Sequence, residues 1–504
     1  MPSFIKNPSK FLRVITILTL AFMLCCGLAM VIFPIKPFWV DEWRIIYNLK
    51  FRTPGMLWGT LEYMQQFPRV YLHIFKWFTS LFNYSYTSLR LPSFLVAVCT
   101  VLLCWRLMTR LYPPQNIFRY LFILVLVSAF PFTEYFIQVK QYSMEIFLSL
   151  VAIWQLLTLL NIPAGGIKPF TFLLLCLTFA AAPFFSYTYP IVVAPIYCVI
   201  ALRLIFLYRS ETPSKIKSIA LMLLPLLLCA ISIYFFYLHD VKQVMADPGM
   251  KDFWGFAYMH GFEPGKFAIN VYQIFSEVGS GDLFAIIFGI VGLSAFFFTI
   301  WRTVTSVTKG FPNENEYIRC YAILMIIVVL SLFSAGVLPI ESRLIAFTIP
   351  SILVMIIYLL HHMHQTVKLR LASIIIATIL YLGVTGNVFT TYITEMYGSE
   401  HYKKLTIYRN TEKAIIYAQA HNMPILITPY ISYPYENSWD YPSHDMLPGN
   451  WILKAYPAYN ARQALPVYPI PTLANAGKCF ITLPPQIQQV MAGDGNTYHI
   501  LVRQ

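Results

Sequence analysis

Residues 11–34 read FLRVITILTLAFMLCCGLAMVIFP, a run of apolar side chains that follows Lys6 and Lys10 and is uncharged throughout beyond Arg13. About 20 such residues match the hydrocarbon thickness of a bilayer, so the run reads as a transmembrane helix. It is longer than a signal-peptide core and shows no clear small-residue cleavage site. Similar runs recur along the chain, near 89–111, 117–137, 142–160, 169–187, 189–208, 216–237, 284–302, 317–337, 344–361 and 371–389. The expected fold is therefore an all-α polytopic transmembrane bundle of about 11 helices, residues 1–390, with outer loops over 35–88 and 238–283.

Composition agrees. Of 504 residues, 58% are hydrophobic and only 12% charged, and the mean hydropathy is +0.63. A soluble core of this size cannot bury so much apolar surface. The net charge of +14 does not mark a nucleic-acid partner, because the cations are spread over short loops. With the N-terminus cytoplasmic, the inside loops carry Arg106, Arg110 and Arg119; Lys168; Arg203, Arg209, Lys215 and Lys217; Arg302, Lys309 and Arg319; Lys368 and Arg370. That is the positive-inside pattern. The membrane expected is a plasma membrane, bacterial inner. Cysteines such as Cys26, Cys104 and Cys229 fall in apolar segments and read as small packing residues.

Three stretches stand apart. The segment 70–82 has helical spacing of Val70, Tyr71, Ile74, Phe75, Phe78 and Leu81, with His73 and Lys76 on the other side; it predicts an amphipathic helix in the interface. The 238–283 loop mixes acidic residues with aromatics and turn signals, and a lid over an outer cavity and an ordinary interfacial loop are both open. After Asn387 the chain turns polar, proline-rich and tyrosine-rich. Pro424–Thr428 and His499–Val502 read as strands, and residues 391–504 as a small extracytoplasmic α/β domain.

The chemistry-bearing residues gather on the expected outer face. Phe38-Trp39-Val40-Asp41-Glu42-Trp43-Arg44 places adjacent carboxylates after the first span. Glu134, Lys140 and Tyr142 lie at the turn between the third and fourth spans, with Glu145 one turn into the fourth. Glu341 and Arg343 lie between the ninth and tenth. Ionisable groups at membrane depth are costly and mark function by default, although Lys140 and Arg343, taken singly, also read as snorkelling interface residues. Together the groups suit a reaction between a lipid-linked anion and a hydroxyl or amine acceptor: a carboxylate takes the acceptor proton and cations hold a phosphate leaving group. An ion pair of Lys140 with Glu145 is a further option. His73 reads more simply as structural, and Arg90 as a span cap; both complete the candidate set as substrate contacts. No His, Asp or Glu grouping has metal-ligand spacing, and a divalent cation is left open.

At these residues the sequence resembles a known family. Phe38–Glu42, Pro68 before an aromatic helix, and Leu89-Arg90-Leu91-Pro92-Ser93 resemble the N-terminal half of C-type membrane glycosyltransferases. The likeness is narrower to the protein O-mannosyltransferase and aminoarabinose-to-lipid A transferase superfamily. Gln138–Ser143 resembles that family's Arg-x-Tyr stretch, with lysine at position 140 in place of arginine, and Glu341-Ser342-Arg343 with Ile349-Pro350 a late Arg…Pro stretch. The likeness covers about residues 10–160, and 335–390 less closely.

The resemblance implies a polyprenyl-phosphate-linked sugar donor, a lipid, glycan or protein acceptor, and inversion at the anomeric carbon. It implies Asp41 as the base, Glu42 orienting the acceptor or assisting a cation, Lys140 and Arg343 on the donor phosphate, and Tyr142 lining the donor groove. A lipid-linked saccharide transporter or flippase, or a glycan polymerase or ligase, is the alternative reading. A transporter favours paired halves with polar groups near the midplane, and no repeat is visible.

Overall fold

The computed structural model describes residues 8–33, 38, 40–61, 65–113, 116–165, 167–209, 215–245, 257–259, 261, 263–279, 282–307, 314–397, 425–426, 487–491 and 500–503. Among them, eight helices are long and apolar enough to cross a membrane: Lys10–Ile32, Tyr86–Leu111, Tyr142–Ile162, Ile216–Val241, Asp282–Ser306, Glu314–Ser334, Ala346–Gln365 and Val367–Thr390. The chain is a multi-pass membrane protein whose described membrane segments are all α-helical.

Of the three remaining expected spans, Phe118–Ser128 and Pro169–Phe185 are shorter apolar helices, whereas Tyr189–Arg209 is an apolar helix of 21 residues. The expectation of about 11 helices is thus met in part, by eight long spans and these further apolar helices, and prolines account for the two short ones. Pro131 lacks the N–H that would bond back into the preceding turn, so the 117–137 segment breaks at Ala129 (ψ 137°), and a separate short helix runs over Phe130–Tyr135. Pro183 likewise ends the Pro169–Ala181 helix in a tighter 3₁₀ turn over Ala182–Phe185.

Packing divides the chain into two units. The first comprises Met1–Val31, Gln66–Ile74 and Arg90–Thr391; the second comprises Ile32–Gln65, Phe75–Leu89 and Tyr392–Gln504.

In the first unit the Tyr142–Gly165 helix is central. It packs against Tyr189–Arg209, Lys215–Phe236, Glu314–Ser334 and Ile349–Gln365, and Ile146, Leu150, Ile153, Leu156 and Leu157 are all buried. The outer helices present apolar side chains where a soluble bundle would present polar ones: Leu102 and Phe297 are each 64% exposed. In a bilayer that surface meets lipid. The Glu314–Ser334 helix ends in a Schellman motif, with Gly336 N–H on Phe333 O (2.9 Å) and Val337 N–H on Leu332 O (2.9 Å). Gly336 has φ +66°, and a Cβ there would meet Met259 O at 2.8 Å, so this turn requires glycine on both counts.

In the second unit, residues 40–51 form a helix, Val40–Phe51, where the sequence suggested a loop. Lys76 Nζ donates to Leu49 O at that helix's C-terminal end and to Tyr84 Oη at 3.2 Å; a cation on the last carbonyls is favourable, while burial lowers the lysine's pKa. The short strands Ile425–Leu426 and Ile487–Met491 each pair antiparallel with Ile500–Arg503, so the expected strands near 425 and 500 are paired. The rest of the expected domain after 397 lies outside the described residues, as do Asp247 and Asp252 of the 238–283 loop. The described part of that loop includes a helix, Pro264–Ser276.

Candidate functional site

The turn between Tyr135 and Tyr142 is built from below. Arg90 and Ser93, one turn apart on the Tyr86–Leu111 helix, are fully buried. Arg90 Nη1 donates to Ile137 O at 3.0 Å, and Ser93 Oγ donates to Gln138 O at 2.5 Å. Within the turn, Lys140 N–H reaches Gln138 O at 2.7 Å, and Gln138 Nε2 donates to Glu134 Oε1 at 3.0 Å. Arg90 is therefore neither a span cap nor a surface residue: it sits inside its helix and holds the backbone that carries Lys140. Pro92 lies inside the same helix, so Leu-Arg-Leu-Pro-Ser is a docking ledge for the 137–138 carbonyls.

Tyr135 joins this turn to the late one. It shares a hydrogen bond with Ser342 and lies in the fields of Glu134, Arg343 and Glu277. Its ring stands 4.8 Å from that of Tyr142. The turn over Glu341–Ile345 is closed by Leu344 N–H and Ile345 N–H on Glu341 O, at 2.8 and 3.1 Å. Ser149 Oγ, one turn past Glu145 on the central helix, donates to Phe347 O at 2.7 Å. Segments 134–145 and 341–347, expected on the sequence to converge, are thus brought together within the first unit. Glu277, which the sequence alone does not single out, joins them from the end of the Pro264–Ser276 helix: Gln273 Nε2 donates to it at 3.1 Å. Burial raises the Glu277 pKa, the Gln273 hydrogen bond lowers it, and Glu341 raises it further.

Glu145 is buried in the first turn of the central helix. Its Oε2 has no hydrogen-bond partner, and neither do Ser143 Oγ in the same turn and Gln141 Oε1 just before the helix. None of the described ion pairs includes Glu145, so the pairing with Lys140 considered from the sequence does not form. A buried carboxylate oxygen without a donor is costly, which makes this end of the helix a place where a ligand hydroxyl would be welcomed.

His73 is not in this cluster. Its Nδ1 lies 2.7 Å from Arg69 O, one turn back on its own helix, the structural role its position favours. The same helix start holds a second buried polar group that the sequence did not single out. Arg69 Nε lies 3.8 Å from Asp240 Oδ1, Arg69 N–H donates to Asp240 Oδ2 at 2.8 Å, and Tyr187 Oη donates to Asp240 Oδ1 at 2.7 Å and to Phe67 O at 3.1 Å. Asp240 is presented by a π-helical turn, Tyr237–Val241, a wider turn often found where a side chain is re-aimed.

In the second unit, Asp41 and Glu42 occupy the first turn of the Val40–Phe51 helix, where the helix dipole favours carboxylates. They differ in access. Glu42 is 1% exposed, whereas the Asp41 side chain is 21% exposed and lies 3.4 Å from Arg44 Nη1. Among the described residues no grouping of three or more His, Cys, Asp or Glu could hold a metal ion.

Compared with protein-family models, with curated proteins and with solved structures, the chain gives no match. What defines its class is its own architecture, a multi-pass bundle with a buried polar cluster at the ends of several of its helices.

Proposed function

We propose that the protein is a membrane glycosyltransferase that moves a sugar from a polyprenyl-phosphate donor to a lipid, glycan or protein acceptor on the outer face of a bacterial inner membrane. The observation that carries this reading is the approach of Tyr142 and Arg343 to Tyr135, beside a turn that bears Lys140 on a backbone clamped by Arg90 and Ser93. Cations fixed at membrane depth suit a lipid-linked phosphate, whose negative charge grows as the glycosidic bond breaks. Tyr142 supplies an aromatic face, and the unpartnered Glu145 Oε2 a hydrogen-bond acceptor for a sugar hydroxyl.

In this reading Asp41 is the base, since it is the more accessible carboxylate of its pair, and buried Glu42 supports its helix. The acceptor oxygen or nitrogen attacks the anomeric carbon and gives its proton to Asp41. The bond to the phosphate oxygen breaks, and the polyprenyl phosphate leaves with the electron pair.

The test is donor binding to purified protein. Lys140→Gln and Arg343→Gln are each expected to weaken polyprenyl-phosphate-sugar binding roughly tenfold or more, the worth of a charged hydrogen bond, with thermal stability retained. Unchanged affinity in both variants, in folded protein, contradicts the assignment.

A further inference from the structure

At the other end of the bundle from Lys140 and Arg343 lies a cavity of about 680 Å³, lined by Arg106, Arg110, Trp154, Asn161, Lys168 and Glu314 among others. The central helix runs from one site to the other: Glu145 and Asn161 are 16 residues apart on it, about 24 Å at the α-helical rise. We propose that this cavity is a second binding site, for a phosphate-bearing anion, separate from the proposed donor site.

The charge balance favours an anion. Among the described residues, one of the lining cations is paired with a carboxylate: Arg110 Nη2 lies 3.4 Å from Glu314 Oε2 and also donates to Leu157 O at 3.0 Å, which fixes its guanidinium. Arg106 and Lys168 have no ion pair among the described residues. Lys168 is also the N-cap of the Pro169–Ala181 helix, which has no side-chain cap and begins with proline. The uncapped N–H groups of that first turn add partial positive charge beside the cavity. A volume of this size is typical of small-ligand sites, and a fixed guanidinium with two further cations is phosphate-binding chemistry.

The surroundings favour a lipid headgroup over a soluble phosphate. Leu102 lies one turn before Arg106 and is 64% exposed; Phe170 and Leu173 lie one and two positions from Thr171 and are 76% and 54% exposed. Acyl chains would lie along these faces while the headgroup enters between the cations.

The experiment is native mass spectrometry of the full-length protein from lipid mixtures, probing phosphatidylglycerol against phosphatidylcholine. Wild type is expected to retain phosphatidylglycerol selectively, and R106Q/K168Q to lose about tenfold of that retention. Glu314→Gln, which removes the competing carboxylate, is expected to increase it, so the proposal stays testable if the double variant does not fold. Displacement of the lipid by millimolar inorganic phosphate, with a phosphate-dependent rise in wild-type Tm that R106Q/K168Q lacks, would assign the same cationic site to a soluble phosphate. Equal phosphatidylglycerol retention by wild type and folded R106Q/K168Q, with no Tm response to phosphate, overturns the proposal, as does a Glu314→Gln variant that gains nothing.

Discussion

Arg90 Nη1 donates to the carbonyl oxygen of Ile137 at 3.0 Å, 47 residues along the chain, and both residues are fully buried. This bond, with Ser93 on the next carbonyl, fixes the turn on which Lys140 stands. Arg90→Met keeps much of the side-chain volume but leaves Ile137 O without this donor, at a cost of about 1–3 kcal/mol. Amide hydrogen exchange should accelerate over residues 137–141 in that variant, and donor binding should weaken. Unchanged exchange there would show that the clamp does not hold the turn.

The Arg69–Asp240 pair is buried on both sides, with side-chain exposures of 3% and 4%. Removing one partner strands the other's charge, so Asp240→Asn is expected to cost about 3–5 kcal/mol. Tyr187→Phe, which removes only the hydroxyl on Asp240 and Phe67 O, should cost about 1 kcal/mol. Detergent-solubilised unfolding curves would check both. The double change Arg69→Met with Asp240→Leu should recover part of the loss, because the stranded charge is gone.

Glu277 sets a pH dependence. Its carboxyl is raised above the ordinary 4.5, first by burial and then by Glu341. The folded protein thus holds this proton more tightly than the unfolded chain. Its contribution favours folding below pH 4.5 and is lost as pH rises through the raised folded value. Glu277→Gln should therefore raise Tm at pH 7 by on the order of 1–2 °C and leave it nearly unchanged at pH 4. An equal shift at both pH values would contradict this.

How far the sequence foretold this arrangement differs from element to element. Long apolar runs such as 11–34 and 371–389 were legible because bilayer length is written directly in composition. The break at Ala129 was less so: Pro131 was visible, but hydropathy alone does not say whether a proline kinks a span or ends it. The meeting of the 134–145 and 341–347 segments followed from counting spans, whereas Arg90's role did not, since a cation at a span's edge looks the same whether it caps the helix or reaches a carbonyl 47 residues away. Glu277, Arg69 and Asp240 were missed for a similar reason. Each lies in or beside a polar loop, and only tertiary packing buries it. Asp41-Glu42 stood out as two adjacent carboxylates, but its helix did not, because Val40–Phe51 is too polar and too short to announce itself.

The most direct test of the central claim is a transfer assay. Purified wild type and Asp41→Asn would be offered radiolabelled polyprenyl-phosphate monosaccharides with lipid, glycan and protein acceptors. The account predicts donor-dependent labelling of one acceptor class by wild type and a loss of at least about 100-fold in Asp41→Asn, the scale of general-base catalysis, at unchanged Tm. Labelling that survives the substitution would remove Asp41 from the chemistry. No labelling with any donor, together with movement of a lipid-linked sugar across liposome membranes, would contradict the transferase and make the protein a transporter.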